Sequence, residues 1–489
     1  MPSRCLACVS VLFLLAACSD DGPAMDSADP SSSLGTSSDT DSQTDSDSQT
    51  ASDTDSDSQT ASDSDSQTDT DSDSDSQTDS DSDSQTDSDS QTDSDSQTDT
   101  DSDSSASASA GTDGPKFDLG AVPDSSGAGC GIGETFSYIW IANSSQGTLS
   151  KIDTVTLEEL GRYRVRPDGQ GLPSRTSVNL NGDVAVASRS GGITKVYANP
   201  ENCEESNGTP GIQTSTGPND VLAWGDEECI AWHSPFNYGS QRPIAWTQGT
   251  EGACTWEDQK VWTTGTTNGG SADVILLNGD DGSVESMVNV PGLTPFNSFG
   301  GYGAVVDPDG NLWFNEMHIF GDYLVRVFIE DMSFELINAP GNTGYGLAID
   351  EEGRIWTCGN QRVARYDPDT NQWDTAPIAL STGGGCMVDA EGRLWVSGNN
   401  SNPYTIEAYD VDSLQVLVSY PMPEHLHGIS IDFDGYVWGV GGVPGSGQGE
   451  RALRIDPDTG EYDTVEGLVG AYTYSDMTGF ALASSVAAG

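Results

Sequence analysis

The chain carries four histidines, His233, His318, His425 and His427. His233 directly follows Trp232. His318 comes two residues after Glu316 and four before Asp322, and His425 follows Glu424. Imidazole changes charge near neutral pH and offers a lone pair to metals. A convergence of these groups would bind a divalent cation or carry out general acid–base steps. Other chemistries have no support. There is no Gly-x-Ser-x-Gly turn for a serine nucleophile, and no glycine-rich loop follows a strand and opens a helix to cradle phosphate. Six cysteines beyond position 18, at 130, 203, 229, 254, 358 and 386, lack the Cys-x-x-Cys spacing of a structural zinc site. Their even number in an exported chain reads as disulfides.

The elements that must position these residues repeat along the chain. Residues 303–317 read GAVVDPDGNLWFNEM, 346–359 GLAIDEEGRIWTCG, 386–398 CMVDAEGRLWVSG and 428–442 GISIDFDGYVWGVGG. Each is an alternating apolar run, a tight turn with an acidic residue and glycine, and a second run carrying Trp, which is the pattern of a β-hairpin. Trp313, Trp356, Trp395 and Trp438 are spaced by 43, 39 and 43 residues. A period near 40 with four short strands describes a blade of a β-propeller. Weaker copies at 138–153, 176–197, 220–234 and 254–265 bring the repeat count to eight blades, or seven if one irregular central copy is an insertion. The first copy lacks an inner strand. Residues 473–484 (TYSDMTGFALAS) are expected to supply it and so close the ring. No stretch shows useful helical periodicity.

In such blades the start of the inner strand and the end of the second strand share one face. All four histidines therefore map toward one rim of the central channel, with Glu316, Asp322 and Glu424. Cys358 and Cys386 map to that face on adjacent blades and are a candidate disulfide. Cys203, Cys229 and Cys254 fall in the irregular region, where a second bridge is expected. The pairs Asp307/Asp309, Asp350/Glu352, Asp389/Glu391 and Asp432/Asp434 look like pieces of calcium loops without the remaining ligands. An Asp ahead of a turn glycine accepts backbone N–H bonds, which is sufficient cause for them. One Trp per blade at a fixed position reads as packing between blades.

Charge divides the 489 residues. The formal net charge is −60, which excludes nucleic acid as a partner. Residues 19–114 hold 28 Asp, with no Lys, Arg or Glu and no aromatic residue, in a Thr-Asp-Ser-Asp-Ser-Gln repeat. Such a segment repels itself and has nothing to bury, so it is expected to be a disordered tether. From residue 115 on, 50 acidic residues face 17 basic ones, a net of −33. The organisation read from sequence is residues 1–17 as a signal peptide, 18–114 as a lipidated Cys18 with its linker, and 115–489 as an all-β propeller, expected to be monomeric. Leu15-Ala16-Ala17-Cys18 resembles the bacterial lipobox. That resemblance implies acylation of Cys18 and anchoring in the outer membrane, on its periplasmic side or displayed at the cell surface.

The blade pattern resembles the streptogramin (virginiamycin B) lyase family of propellers and its NHL-like neighbours, well over 303–442 and loosely over 138–265. The resemblance implies a magnesium or other divalent ion held by histidines and glutamates at the channel mouth, with a His as the acid–base residue. His427 best matches the catalytic position, and Glu316 and His318 the metal ligands. Positions equivalent to Glu316 in other blades read Gly359, Gly398 and Gly441, so a full constellation is not visible. Two functions follow. One is a tethered module binding a small molecule, glycan or protein. The other is a metal-dependent lyase or hydrolase acting on a cyclic ester or polysaccharide. The incomplete catalytic set favours the first, because fold does not determine activity.

Overall fold

In the hairpin of residues 303–317 the first Asp of the turn does the organising. The Asp307 carboxylate accepts the backbone N–H of Asn311 at 2.9 Å and the indole N–H of Trp313 at 2.9 Å. The same bonds recur in the next three copies. Asp350, Asp389 and Asp432 take the N–H of Arg354, Arg393 and Tyr436 at 2.8–2.9 Å. They take the indoles of Trp356, Trp395 and Trp438 at 2.7–2.8 Å. Arg354 and Arg393 add ion pairs to Asp350 and Asp389. The turn carboxylates are therefore fully engaged by protein donors, and the resemblance to calcium loops is structural. The glycines of these turns, such as Gly310 at φ +83°, take the left-handed backbone that the geometry requires.

A computed structural model describes residues 137–253, 255–267, 269–293, 299–317, 323–341, 344–382, 384–399, 401–442 and 449–487. Cys18, Cys130, Cys254, His318, Asp322 and the whole 1–114 segment lie outside the described residues. The strands form seven blades of antiparallel strands, with one extra two-stranded hairpin at Thr250–Glu251 and Trp256–Glu257. The inner strands of blades 2 to 7 are Pro173–Val178, Ser240–Trp246, Gly301–Val306, Gly346–Ile349, Cys386–Val388 and Leu426–Ile431. Each is followed outward by three more strands.

The count of eight is thus corrected to seven. Residues 220–234 place their one glycine, Gly225, directly after Trp224 rather than at the end of an Asp-led turn, and they do not form a blade hairpin. Only Ile230–Ser234 pairs, as the outermost strand of blade 2, against Ile193–Val196. The chain between those two strands makes a long excursion closed by Cys203–Cys229, whose Cα atoms stand 4.6 Å apart. The second disulfide, Cys358–Cys386, joins the second strand of blade 5 to the inner strand of blade 6, as the register predicts.

The core lies between blades. Trp313 packs with Leu347, Ile349 and Ile355 of blade 5, and Trp395 with Ile429 and Ile431 of blade 7. Trp438 meets Ile139 and Ile141 of blade 1. Trp140 meets Val184 and Val186 of blade 2. The tryptophans are inter-blade packing, as their spacing implied.

Blade 1 opens with Tyr138–Asn143, and the C-terminal segment takes the place inside it. Ala471 bridges Asn143, the Tyr472 N–H donates to the Ala142 carbonyl at 3.1 Å, and the Trp140 N–H donates to the Met477 carbonyl at 2.9 Å. This closes the ring from both ends of the domain. The chain departs from expectation just beyond it, where Phe480–Ala487 is a short helix rather than strand. The cause is local. The Asp476 carboxylate accepts the N–H groups of Gly479 at 2.8 Å and Leu482 at 3.1 Å, turning the chain into a helix. Phe480 then buries against Met387, Ile429 and Ile431.

Candidate functional site

The inner strands converge on the axis, so residues at their starts meet across it. Tyr302, Tyr345 and His427 each lie five residues before the turn Asp of their blade, and Gly384 holds the corresponding place in blade 6. The closing segment adds Tyr472 and Tyr474. Arg175, from the inner strand of blade 2, bridges Tyr474 in parallel register. Arg242 comes from the inner strand of blade 3. Five inner strands and the closing segment thus deliver one cluster to the channel mouth.

Its aromatic members interlock. The hydroxyls of Tyr302 and Tyr345 each lie 3.0 Å from that of Tyr472, which is 3.2 Å from that of Tyr474. His427 Nε2 is 3.1 Å from the Tyr345 hydroxyl, and its ring stacks on Tyr472 with centroids 4.6 Å apart. The Arg175 guanidinium lies 3.0 Å from the ring centre of Tyr474 and 4.6 Å from that of Tyr302. Arg189 sits 5.0 Å from the ring of Tyr472, and Arg242 5.2 Å from that of Tyr302. These are cation–π distances. Asn315 ties the layer together between blades, accepting the Gly303 N–H at 2.8 Å and donating to the carbonyls of Tyr345 and Gly346 at 3.4 Å.

Burial shapes the charges here. It pushes His427 well below the usual histidine range, and the neighbouring His425, Arg175 and Arg189 push it further. Burial alone lowers His425 to about 4. Both imidazoles are therefore neutral at physiological pH. Burial raises Tyr345, Tyr472 and Tyr474, keeping their hydroxyls protonated. For Tyr302 burial acts in the same direction, but Arg242 and Arg175 outweigh it and bring the phenol below its ordinary value. Arg175 loses basicity on burial, yet a guanidinium remains charged. The layer is rich in hydrogen-bond donors and positive.

The expected site residues meet different fates. His427 stands at the heart of the cluster. Glu316 lies on the blade 4 rim, three blades away, where its carboxylate accepts the Tyr323 N–H at 3.1 Å. His318 lies outside the described residues. His425 borders the cluster, 5.8 Å from His427 between ring centres. Glu424 is ion-paired with Arg451. His233 is not at the channel. It lies on the outermost strand of blade 2, with Nδ1 2.8 Å from the Thr194 hydroxyl. The mapping put it on a second strand because Trp232 mimics the repeat.

Among the described residues no three His, Cys, Asp or Glu side chains gather as a metal site. His427 faces tyrosines and guanidinium groups, so the described donor set by itself does not fit a divalent cation. Sequence reasoning missed Arg175, Arg242, Tyr302, Tyr345, Tyr472 and Tyr474. The signal was present as a bulky polar residue five places before the turn Asp in three blades.

No protein-family model and no curated protein matches the chain. Solved structures similar to it include a streptogramin B lyase at 15% identity and TM-score 0.44, covering 62% of this chain and 86% of that one. Another is a catalytically inactive virginiamycin B lyase from Staphylococcus aureus with quinupristin, at 14% identity and TM-score 0.39, covering 61% and 84%. A protein of unknown function from Desulfotomaculum acetoxidans is similar at 9% identity and TM-score 0.47, covering 70% and 98%. At these identities the likeness is one of fold.

Proposed function

We propose that this chain is a tethered ligand-binding propeller whose ligand docks at the channel mouth over the Arg–Tyr–His layer. The observation that carries this reading is the makeup of the layer: neutral imidazoles, phenols and guanidinium groups, supplied by five inner strands and the closing segment. Such a layer has the hydrogen-bonding groups and aromatic faces by which binding sites hold a small molecule or glycan. The anchor at Cys18 and the acidic linker would hold the ring away from the outer membrane. As a flexible coil, these 97 residues (18–114) would span roughly 54 Å root-mean-square.

The test is a panel of immobilised neutral and acidic glycans and cyclic peptides, probed with the full chain and with an Arg189→Ala/Tyr345→Ala variant. Retention by the native chain alone supports the reading. Retention that ignores the substitutions places the binding face elsewhere. Protease added to intact cells should release the ring if it is displayed, and a protected ring means a periplasmic one.

A lyase reading draws on one observation, the neutral, buried His427 imidazole with Nδ1 unpartnered. It requires that His427→Ala and Glu316→Gln fold normally but fail to open a cyclic depsipeptide such as quinupristin. It also requires that magnesium raise the melting temperature of the native chain and not of His427→Ala. Unchanged turnover in both variants would remove it.

A further inference from the structure

Arg175 is fully buried, and both terminal nitrogens of its guanidinium lack any hydrogen-bond partner. Its Nε donates to the Tyr302 carbonyl at 2.9 Å, which fixes the plane of the group. The rings of Tyr474 and Tyr302 stack against the guanidinium. His427 Nδ1 is also buried and without a partner. A buried charge with unmade hydrogen bonds is expensive, and native proteins rarely retain one without a use. Lysine would carry the same charge. What arginine adds is two parallel N–H donors on one planar edge, the geometry that matches two oxygens of a carboxylate.

We propose that Arg175 and the surrounding Tyr302, Tyr472, Tyr474 and His427 form a receptor for a single carboxylate group at the inner end of the channel mouth. This rests on reading the mouth as the ligand face and names the chemistry that the face recognises. Three features select a carboxylate. The unpartnered nitrogens of Arg175 number two and lie on one guanidinium, so they serve one planar anion. The Tyr472 and Tyr474 phenols are held protonated by burial, so they are able to donate to its oxygens. The domain's net charge of −33 repels polyanions and multiply charged phosphates at long range, whereas a monoanion meets the smallest penalty. Entry is from the mouth, where Tyr345, Arg189 and His425 keep 8%, 7% and 5% exposure while Arg175 has none. The acid is either a free small molecule or the uronate of a longer glycan, and the two share this grip.

The full chain is titrated in halide-free buffer at constant ionic strength with acetate, benzoate, glucuronate, inorganic phosphate and sulfate. Melting temperature and the near-ultraviolet tyrosine difference spectrum are followed together. The expected result is a saturable rise in melting temperature and a matching tyrosine signal with the monocarboxylates. Arg175→Lys should weaken binding at least tenfold, Arg175→Gln should abolish it, and Tyr302→Phe should weaken it severalfold. Glucuronate binding tighter than acetate assigns the glycan source, and the reverse assigns the free acid. The proposal is overturned by an absent response, by an equal response in Arg175→Gln, or by phosphate or sulfate binding as tightly as carboxylate. If Arg175→Gln does not fold, Tyr302→Phe decides in the same way. Glycan or peptide retention without any carboxylate response removes this inference and leaves the binding reading. A carboxylate response without retention removes the wider reading and leaves the receptor.

Discussion

Two polar arrays circle the same axis, one at the inner hairpin turns and one at the opposite face, and they treat burial in opposite ways. At the turns, each Asp carboxylate is buried with its partners supplied: a backbone N–H, an indole N–H and, for Asp307, Asp350 and Asp389, an arginine. At the mouth, Arg175 and His427 are buried with partners missing. The turn array sits at one fixed offset in the repeat, whereas at the mouth only Tyr302, Tyr345 and His427 share such an offset. The contrast separates polar residues that hold a fold from those that await something else. A satisfied buried group stabilises and specifies, whereas an unsatisfied one is retained at a cost to stability.

Substitution should expose that difference most strongly at the turns. Asp389→Ala removes the acceptor for the Arg393 N–H, the Arg393 guanidinium and the Trp395 indole, leaving buried donors stranded. The expected loss is about 3–5 kcal/mol in urea unfolding, comparable to breaking other buried pairs. A loss under about 1 kcal/mol would erase the distinction between the arrays.

Next in size is a pH effect from the closing segment that runs between the faces. Burial raises Asp476 to about 6, against the Gly479 and Leu482 N–H bonds that favour its charge. Its folded pKa lies above the unfolded value near 3.9, so the stability it contributes is fully present below about pH 4 and is lost as pH rises through about 6. That loss amounts to about 3 kcal/mol for a shift of roughly two pH units. Burial also raises Asp432 to about 6, in the same sense. Asp476→Asn keeps one of the two acceptor oxygens, removes the titrating group and should flatten the slope between pH 4 and 6 relative to the parent. Parallel stability curves for variant and parent would show that Asp476 does not titrate there.

At the mouth the prediction reverses sign. Arg175→Met removes an unpartnered charge while keeping bulk, and should raise stability by about 1–2 kcal/mol. A destabilisation as large as that of Asp389→Ala would make the mouth a structural array like the turns. The smallest effect concerns the link between Tyr474 and Asp476. Ser475 takes φ +107°, a strained conformation for a residue with a side chain. Ser475→Gly should gain about 1 kcal/mol in the same assay.

Much of the ring was legible in the sequence because its determinants are local. An acidic residue, a turn glycine and a Trp six places beyond the Asp lie within one hairpin, and their bonds form inside it. The pairing of Cys358 with Cys386 was legible for a related reason, since blade register places both on one face of adjacent blades. The blade number was less so. Trp224 and Trp232 imitate the repeat at 220–234, but without a glycine at the repeat's turn position their segment pairs only as an outer strand. His233 was misplaced by the same imitation. The mouth was barely legible, since the shared position of Tyr302, Tyr345 and His427 does not extend to Arg175 or Tyr474, and all of them meet only across the axis.

Sequence alone therefore determined the blade and the hairpin chemistry, because each depends on residues a few positions apart. Tertiary structure alone decided which side chains face one another across the channel. Closure of seven blades is a global condition, met only when residues 471–477 enter beside Tyr138–Asn143. That same closure carries Tyr472 and Tyr474 onto Arg175 and His427, residues about 300 and 45 positions away in the chain. No local rule of spacing reaches that far, because the distances around a closed ring are set by how many blades it takes to fill the circle.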